Sequence, residues 1–278
     1  MRLAFSTNAF KRHTLEEAID VIAHAGYAGV EIMADRPHAF PADMPPQRIE
    51  SVRRRLADRA LAVSNINAFT LFAAGDTYHP TWIEESAQDR RRRVEHTLAC
   101  VELAAAFGAR TISLQPGGPL IGTSLSAQQA MERFAEGLAA VLPAARACDV
   151  ILAIEPEPGL LIQDSTEYLT FKNRHFRDEP RVRMNCDVGH LFCVGEDPAW
   201  VIRSLRGQFV HVHLEDIGAN RVHQHLAPGK GVIDFPAIFQ ALREADYRGW
   251  ATVELYPYEA SAADVARMAI ERLGPLAA

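Results

Sequence analysis

The chain has 278 residues, 48% of them hydrophobic and 23% charged, with a formal net charge of −6. This ordinary globular composition excludes a disordered chain, a collagen and a coiled coil, and no apolar run approaches the roughly 18 residues that span a bilayer. The start, MRLAFSTNAFKRH, lacks the apolar stretch of a secretory signal, and the acidic balance argues against a general nucleic-acid binder. The four cysteines, Cys100, Cys148, Cys186 and Cys193, form no CxxC pair and read as reduced thiols. The expectation is a cytoplasmic protein with no membrane or nucleic-acid partner.

In chain order, residues 3–6 read as the first strand. Thr14 then opens a helix, with Glu17 three residues on in a capping-box pattern, and Gly26 closes it. A strand over 29–33, a helix over 46–59 and a strand over 62–67 follow. The stretch 67–82 is long and carries Phe69, Phe72, Tyr78 and His79. The pattern then predicts a helix over 83–107, a strand over 111–114, a Gly- and Pro-rich connection to 124 and a helix over 127–147. Further strands are expected over 150–154, 181–186, 209–214 and 251–255. They alternate with helices over 165–171, 198–205, 236–245 and 262–273, and the loop 215–234 is long and rich in His. The arginine runs Arg53–Arg55 and Arg90–Arg93 sit in predicted helices with acids four residues away, and read as solvated outer faces. Eight apolar strands, each followed by a helix, fit a single (β/α)8 TIM barrel occupying the whole chain, 1–278. No GxGxxG follows the first strand, which argues against a dinucleotide site.

The ends of the last four strands carry the chemistry. Strand five reads ILAIEPEPG and ends at Glu155. Strand six reads RVRMNCDVGH and reaches Asp187, with His190 three residues on. Strand seven reads FVHVHLED and carries His213; strand eight reads ATVELYP and reaches Glu254. Neighbouring strands lie about 4.8 Å apart, so four consecutive tips can converge on one cation. Three carboxylates and one imidazole suit one divalent metal ion, with Mn2+ expected and Mg2+, Co2+ or Zn2+ compatible. His211, two residues before His213, points the same way one layer deeper and reads as a barrel-interior histidine.

These residues sit in runs that resemble the xylose isomerase-like TIM barrel family, which includes ketose 3-epimerases, hydroxypyruvate isomerase, inosose dehydratase and the endonuclease IV branch. The runs are GYAGVEI at 26–32, EPEP at 155–158, CDVGH at 186–190, HVHLED at 211–216, HLAPGKGVIDF at 225–235 and TVELYP at 252–257. The resemblance implies that Glu155, Asp187, His213 and Glu254 hold the metal, that Glu155 and Glu254 are the acid/base pair, and that His190 contacts substrate. It implies an isomerase or epimerase of a small carbohydrate or polyol ketone, working through a metal-stabilised enediolate. The alternatives are a dehydratase acting on an inosose, and an endonuclease IV-type phosphodiesterase. Against the last, Asn67 and Gln115 stand where that branch has histidine ligands, and His223 replaces an acid.

Gln115, Glu157, Arg221 and His225 are further candidates for substrate contacts, and His223 with His225 for a second metal. Trp82, Phe69, Phe72, Trp250 and Tyr256 are candidate walls of a sugar site. Barrels of this kind often pair, so a homo-oligomer is compatible with the sequence.

Overall fold

The computed structural model describes residues 1–278. Its centre is a closed barrel of eight parallel strands: β1 (Arg2–Ser6), β2 (Gly29–Met33), β3 (Ala62–Asn67), β4 (Thr111–Leu114), β5 (Ile151–Ile154), β6 (Val182–Asp187), β7 (Phe209–Leu214) and β8 (Trp250–Val253). They pair in sequence order, and β1 closes on β8 with Leu3 opposite Ala251. Around them run α1 (Leu15–Ala25), α2 (Pro46–Asp58), α3 (Ala87–Phe107), α4 (Ala127–Ala147), α5 (Ser165–His175), α6 (Val188–Cys193), α7 (Pro198–Ser204), α8 (Phe235–Glu244) and α9 (Ala262–Ala277). The barrel interior and the inner faces of the helices form one continuous apolar cluster of 73 buried residues, so the sheet is covered along its length. No helix is long and apolar enough to cross a membrane.

Local chemistry sets the boundaries. The Thr14 hydroxyl accepts from Glu17 N at 3.2 Å and the Glu17 carboxylate accepts from Thr14 N at 2.8 Å, and Gly26 ends α1 at φ 98°. Helix α3 starts at Ala87 and not at 83, because Ser86 caps it by accepting from Asp89 N, while the Glu84 side chain accepts from Thr81 N. Helix α5 continues past 171 to His175 and α9 past 273 to Ala277. The short α6 follows directly from β6; Asp187 is its cap and accepts from His190 N at 2.7 Å.

One arginine run is solvated at Arg91 and Arg92 but not at its last residue. Arg93 is fully buried and turns inward from α3. Its Nε donates to the Pro80 carbonyl at 2.7 Å and its Nη1 to the Phe69 carbonyl at 3.0 Å. It therefore braces the long β3–α3 loop from below. Carbonyls of a loop have no ladder partner, and a buried guanidinium supplies several donors at once.

Two buried histidines make the fold acid-sensitive. His38 donates from Nε2 to the Phe10 carbonyl at 3.1 Å, and burial lowers its pKa to about 4. Burial, reinforced by Arg93, lowers that of His96 to about 3. Both are neutral in the fold, so below pH 6.5 the unfolded chain binds protons that the folded chain does not. Their contribution is complete above pH 6.5 and is lost as the pH falls toward these values, by about 2 to 3 kcal/mol each at pH 4.5. Denaturant unfolding across pH 7 to 4.5 is expected to show this loss, and His38→Asn to flatten part of the slope.

Candidate active site

The strand ends converge at the C-terminal mouth of the barrel. Asp187 ends β6, His213 lies one residue from the end of β7, and Glu155 and Glu254 directly follow β5 and β8. The ladders set Asp187 opposite His213 and His213 opposite Thr252, so the three strands reach the same height. One ligand atom from each of Glu155, Asp187, His213 and Glu254 lies within 4.8 Å of the others. His213 Nδ1 is 2.8 Å from Glu155 Oε1 and 3.7 Å from both Asp187 Oδ2 and Glu254 Oε2. All four side chains are buried, and Asp187 Oδ2 has no hydrogen-bond donor. A buried, unpartnered carboxylate oxygen amid two more acids and an imidazole is an unstable arrangement unless a cation completes it. The donor set fits a divalent ion.

A fifth residue, Glu31, fixes the imidazole and was not singled out from the sequence. It sits inside β2, fully buried, just after a register shift against β3. Its Oε2 accepts from His213 Nε2 at 2.7 Å and from Asn65 Nδ2 at 2.9 Å, and its Oε1 from Asn67 Nδ2 at 3.2 Å. Holding Nε2 as the donor leaves Nδ1 as the ligand atom. Burial alone would lower the pKa of His213, but Glu155, Glu31 and Glu254 hold it well above the usual imidazole range. The available signal was an acid inside the otherwise apolar run GVEIM of a strand buried on both faces. Glu31→Gln is expected to weaken divalent-ion affinity about 10- to 100-fold, measured by competition with a metal-sensing dye; unchanged affinity would remove Glu31 from the site.

Glu254 is held asymmetrically. Its Oε1 accepts from Asn8 Nδ2 at 2.9 Å and Asn67 Nδ2 at 3.0 Å, which leaves Oε2 toward His213. Burial, with crowding by Glu155, Glu31 and Asp187, raises its pKa well above the carboxylate range despite His213. Behind Asp187, Glu215 is fully buried with neither oxygen partnered, and burial and Asp187 push its pKa well up.

The mouth opens into a cavity of about 450 Å³, within the size range of small-molecule sites. Glu155, Glu157, His190, His223, His225 and Glu254 all reach it. Tyr78 donates to Glu157 Oε1 at 2.9 Å, and burial raises Glu157 to about 7. His190 donates from Nδ1 to the Pro156 carbonyl at 3.0 Å, and its Nε2 has no partner. His225 donates from Nδ1 to the Glu254 carbonyl at 3.0 Å, and its Nε2 is 3.1 Å from His223 Nε2. Ligand atoms of His190, His223 and His225 also lie within 4.8 Å of one another. His211 lies below His213, fully buried, with Nε2 3.4 Å from Glu31 Oε2.

Other sequence candidates fall elsewhere. Gln115 is buried beside the cavity, where its Nε2 donates to the Tyr78 carbonyl at 2.9 Å. With Asn67 donating to Glu31 and Glu254, neither amide is placed as a metal ligand. Arg221 does not reach the mouth. Its Nη1 donates to the Phe192 carbonyl at 2.7 Å, and its guanidinium lies 4.4 Å from the Phe192 ring centre. The cause is the folding of its loop: Asp216 accepts from the backbone N–H groups of Gly229, Gly231 and Ile233, and Arg221 turns at φ 57°. Phe69, Phe72 and Tyr256 line the cavity. Trp82 instead packs on Phe134, and Trp250 begins β8 at the opposite end, under Arg2.

The pattern described as Xylose isomerase-like TIM barrel matches residues 19–274. A curated relative from Lacticaseibacillus casei, named inosose dehydratase, is 27% identical over 261 residues, covering 88% of this chain and 83% of the relative. Two solved structures share the fold. The protein IOLI with bound zinc is 14% identical with a TM-score of 0.81 over 100% of this chain and 98% of that one. D-psicose 3-epimerase from Clostridium cellulolyticum H10, solved with D-tagatose, is 16% identical with a TM-score of 0.80 over 100% and 99%.

Proposed function

Because this chain belongs to the xylose isomerase-like TIM barrel family, we propose that it is a metal-dependent isomerase or epimerase of a small carbohydrate or polyol ketone. The observation that carries this reading is the pair Glu155 and Glu254, which share the donor cluster and also line the cavity. Glu155, Asp187, His213 and Glu254 would hold one divalent cation, with Mn2+ the favoured ion for this oxygen-rich set, and the cation supplies Lewis-acid polarisation of a carbonyl.

The protein's own residues do the proton transfer. Glu254 takes the proton from the carbon beside the ketone. Asn8 and Asn67 steady its Oε1, and its Oε2 faces His213 Nδ1 at 3.7 Å on the cation side. Glu155, entering the step protonated, gives its proton to the neighbouring carbon or from the opposite face, and the two carboxyls re-equilibrate with solvent after turnover. His190 Nε2, the Glu157–Tyr78 pair and His225 bind hydroxyls, and Gln115 holds the Tyr78 backbone in place. Phe69, Phe72 and Tyr256 shield the reacting carbon from water.

A second reading is favoured by the inosose dehydratases among the relatives. It shares the first proton abstraction and then expels a β-hydroxyl. The test is to incubate Mn2+-loaded protein with ketoses and inososes and identify products by NMR. A shifted carbonyl or an inverted carbon supports the isomerase or epimerase reading. A dehydrated inosose selects the lyase. No product, and no deuterium uptake beside the ketone in D2O, overturns both.

A further inference from the structure

Lys11 is the only lysine or arginine lining the cavity at the barrel mouth. It follows the 3-10 turn Thr7–Phe10 that leaves β1, so the barrel wall sets its position. Its Nζ lies 5.5 Å from the Phe72 ring centre and 6.0 Å from that of Tyr256, two aromatic walls of the same cavity. An ammonium between aromatic faces loses bulk water on two sides, and its charge is felt more strongly there than on an open surface.

The carboxylate partner of Lys11 is Glu259, at 3.3 Å, and both side chains are partly exposed. Such a pair is weak. Glu259 also faces Arg12 at 3.8 Å, so it keeps a cation beside it when Lys11 turns inward. The floor holds the opposite chemistry, with Glu155, Glu157 and Glu254 lining the cavity. The site is therefore polarised, with acids and donor atoms at the strand tips and one releasable ammonium at the β1 side.

On the carbohydrate reading above, the geometry points to a substrate with an anionic terminus, a carboxylate or a phosphate, remote from its ketone and bound by Lys11. A neutral ketose leaves this ammonium with only a hydroxyl to engage. An anion forms a charge-assisted hydrogen bond, about twice as strong as a neutral one.

Three probes differ only at the sixth carbon: D-fructose, D-fructuronate and D-fructose 6-phosphate. Their affinities for Mn2+-loaded protein are measured by calorimetry at low salt. At least one anionic probe is expected to bind roughly tenfold tighter than fructose, about 1.4 kcal/mol. Whichever anion binds tighter identifies the terminus. In Lys11→Met the anion-to-fructose ratio is expected to fall to about one, and Lys11→Arg to retain most of it, which separates lost charge from lost packing. Rising salt should erode the preference. Equal affinity for all three probes, or a preference that survives in Lys11→Met, overturns the inference and leaves the carbohydrate reading standing. Binding of none of the three also overturns this inference, and the carbohydrate reading then stands or falls on the product and deuterium-uptake test above.

Discussion

Glu254→Gln is expected to lower turnover of the true substrate by roughly 10²- to 10⁴-fold, the range of a lost general base. The amide keeps the shape of the side chain, and its oxygen still accepts from Asn8 and Asn67, whose donors lie 2.9 and 3.0 Å from Oε1. What disappears is the capacity to take a proton, together with one anionic donor to the cation. In the chelated protein the substitution also relieves a buried crowd of acids that includes Glu31, Glu155 and Asp187, so its thermal stability without divalent ion should hold or rise. Lost turnover at saturating Mn2+, with folding and ion content both intact, thus isolates the chemistry. Full turnover in this variant would remove Glu254 as the base.

Stripping divalent ions with a chelator is expected to lower the melting temperature by about 5 to 15 °C. The buried acids Glu31, Glu155, Asp187, Glu215 and Glu254 surround His213, and Asp187 Oδ2 and both Glu215 oxygens lack donors. A ligand present at 100 to 1,000 times its dissociation constant stabilises the fold by about 2.7 to 4.1 kcal/mol. For a chain of this size each kcal/mol moves the midpoint by about 2 to 4 °C. Returning Mn2+ should restore the midpoint; a melting curve indifferent to chelator would mean that the cluster holds no ion.

The barrel was legible because each strand is a short apolar run and most helices, though not α2 or α9, have a side-chain cap. Thr14 with Glu17 and Gly26 marked α1 correctly to the residue. Glu155, Asp187, His213 and Glu254 stood out because polar groups end runs that are otherwise apolar, and strand spacing alone brings such tips together. Glu31 was hidden for a related reason. It lies within its strand, and its contact with His213 crosses the barrel lumen, a relation between residues 182 positions apart. Arg93 was misread because Asp89 stands one helical turn away, and sequence spacing does not show that α3 turns that face toward the loop carbonyls. The short α6 was missed because VGHLFC is too brief to show a helical period. Arg221 was misplaced because loop paths follow single contacts, here those gathered by Asp216.

The central claim is that four strand-end side chains form one metal centre at the base of the substrate cavity. The most direct test is elemental analysis of protein purified without chelator, wild type beside Asp187→Ala. About one divalent ion per chain in the wild type, lost in the variant, is the predicted result. No ion in the wild type, or equal content in both proteins, would contradict it.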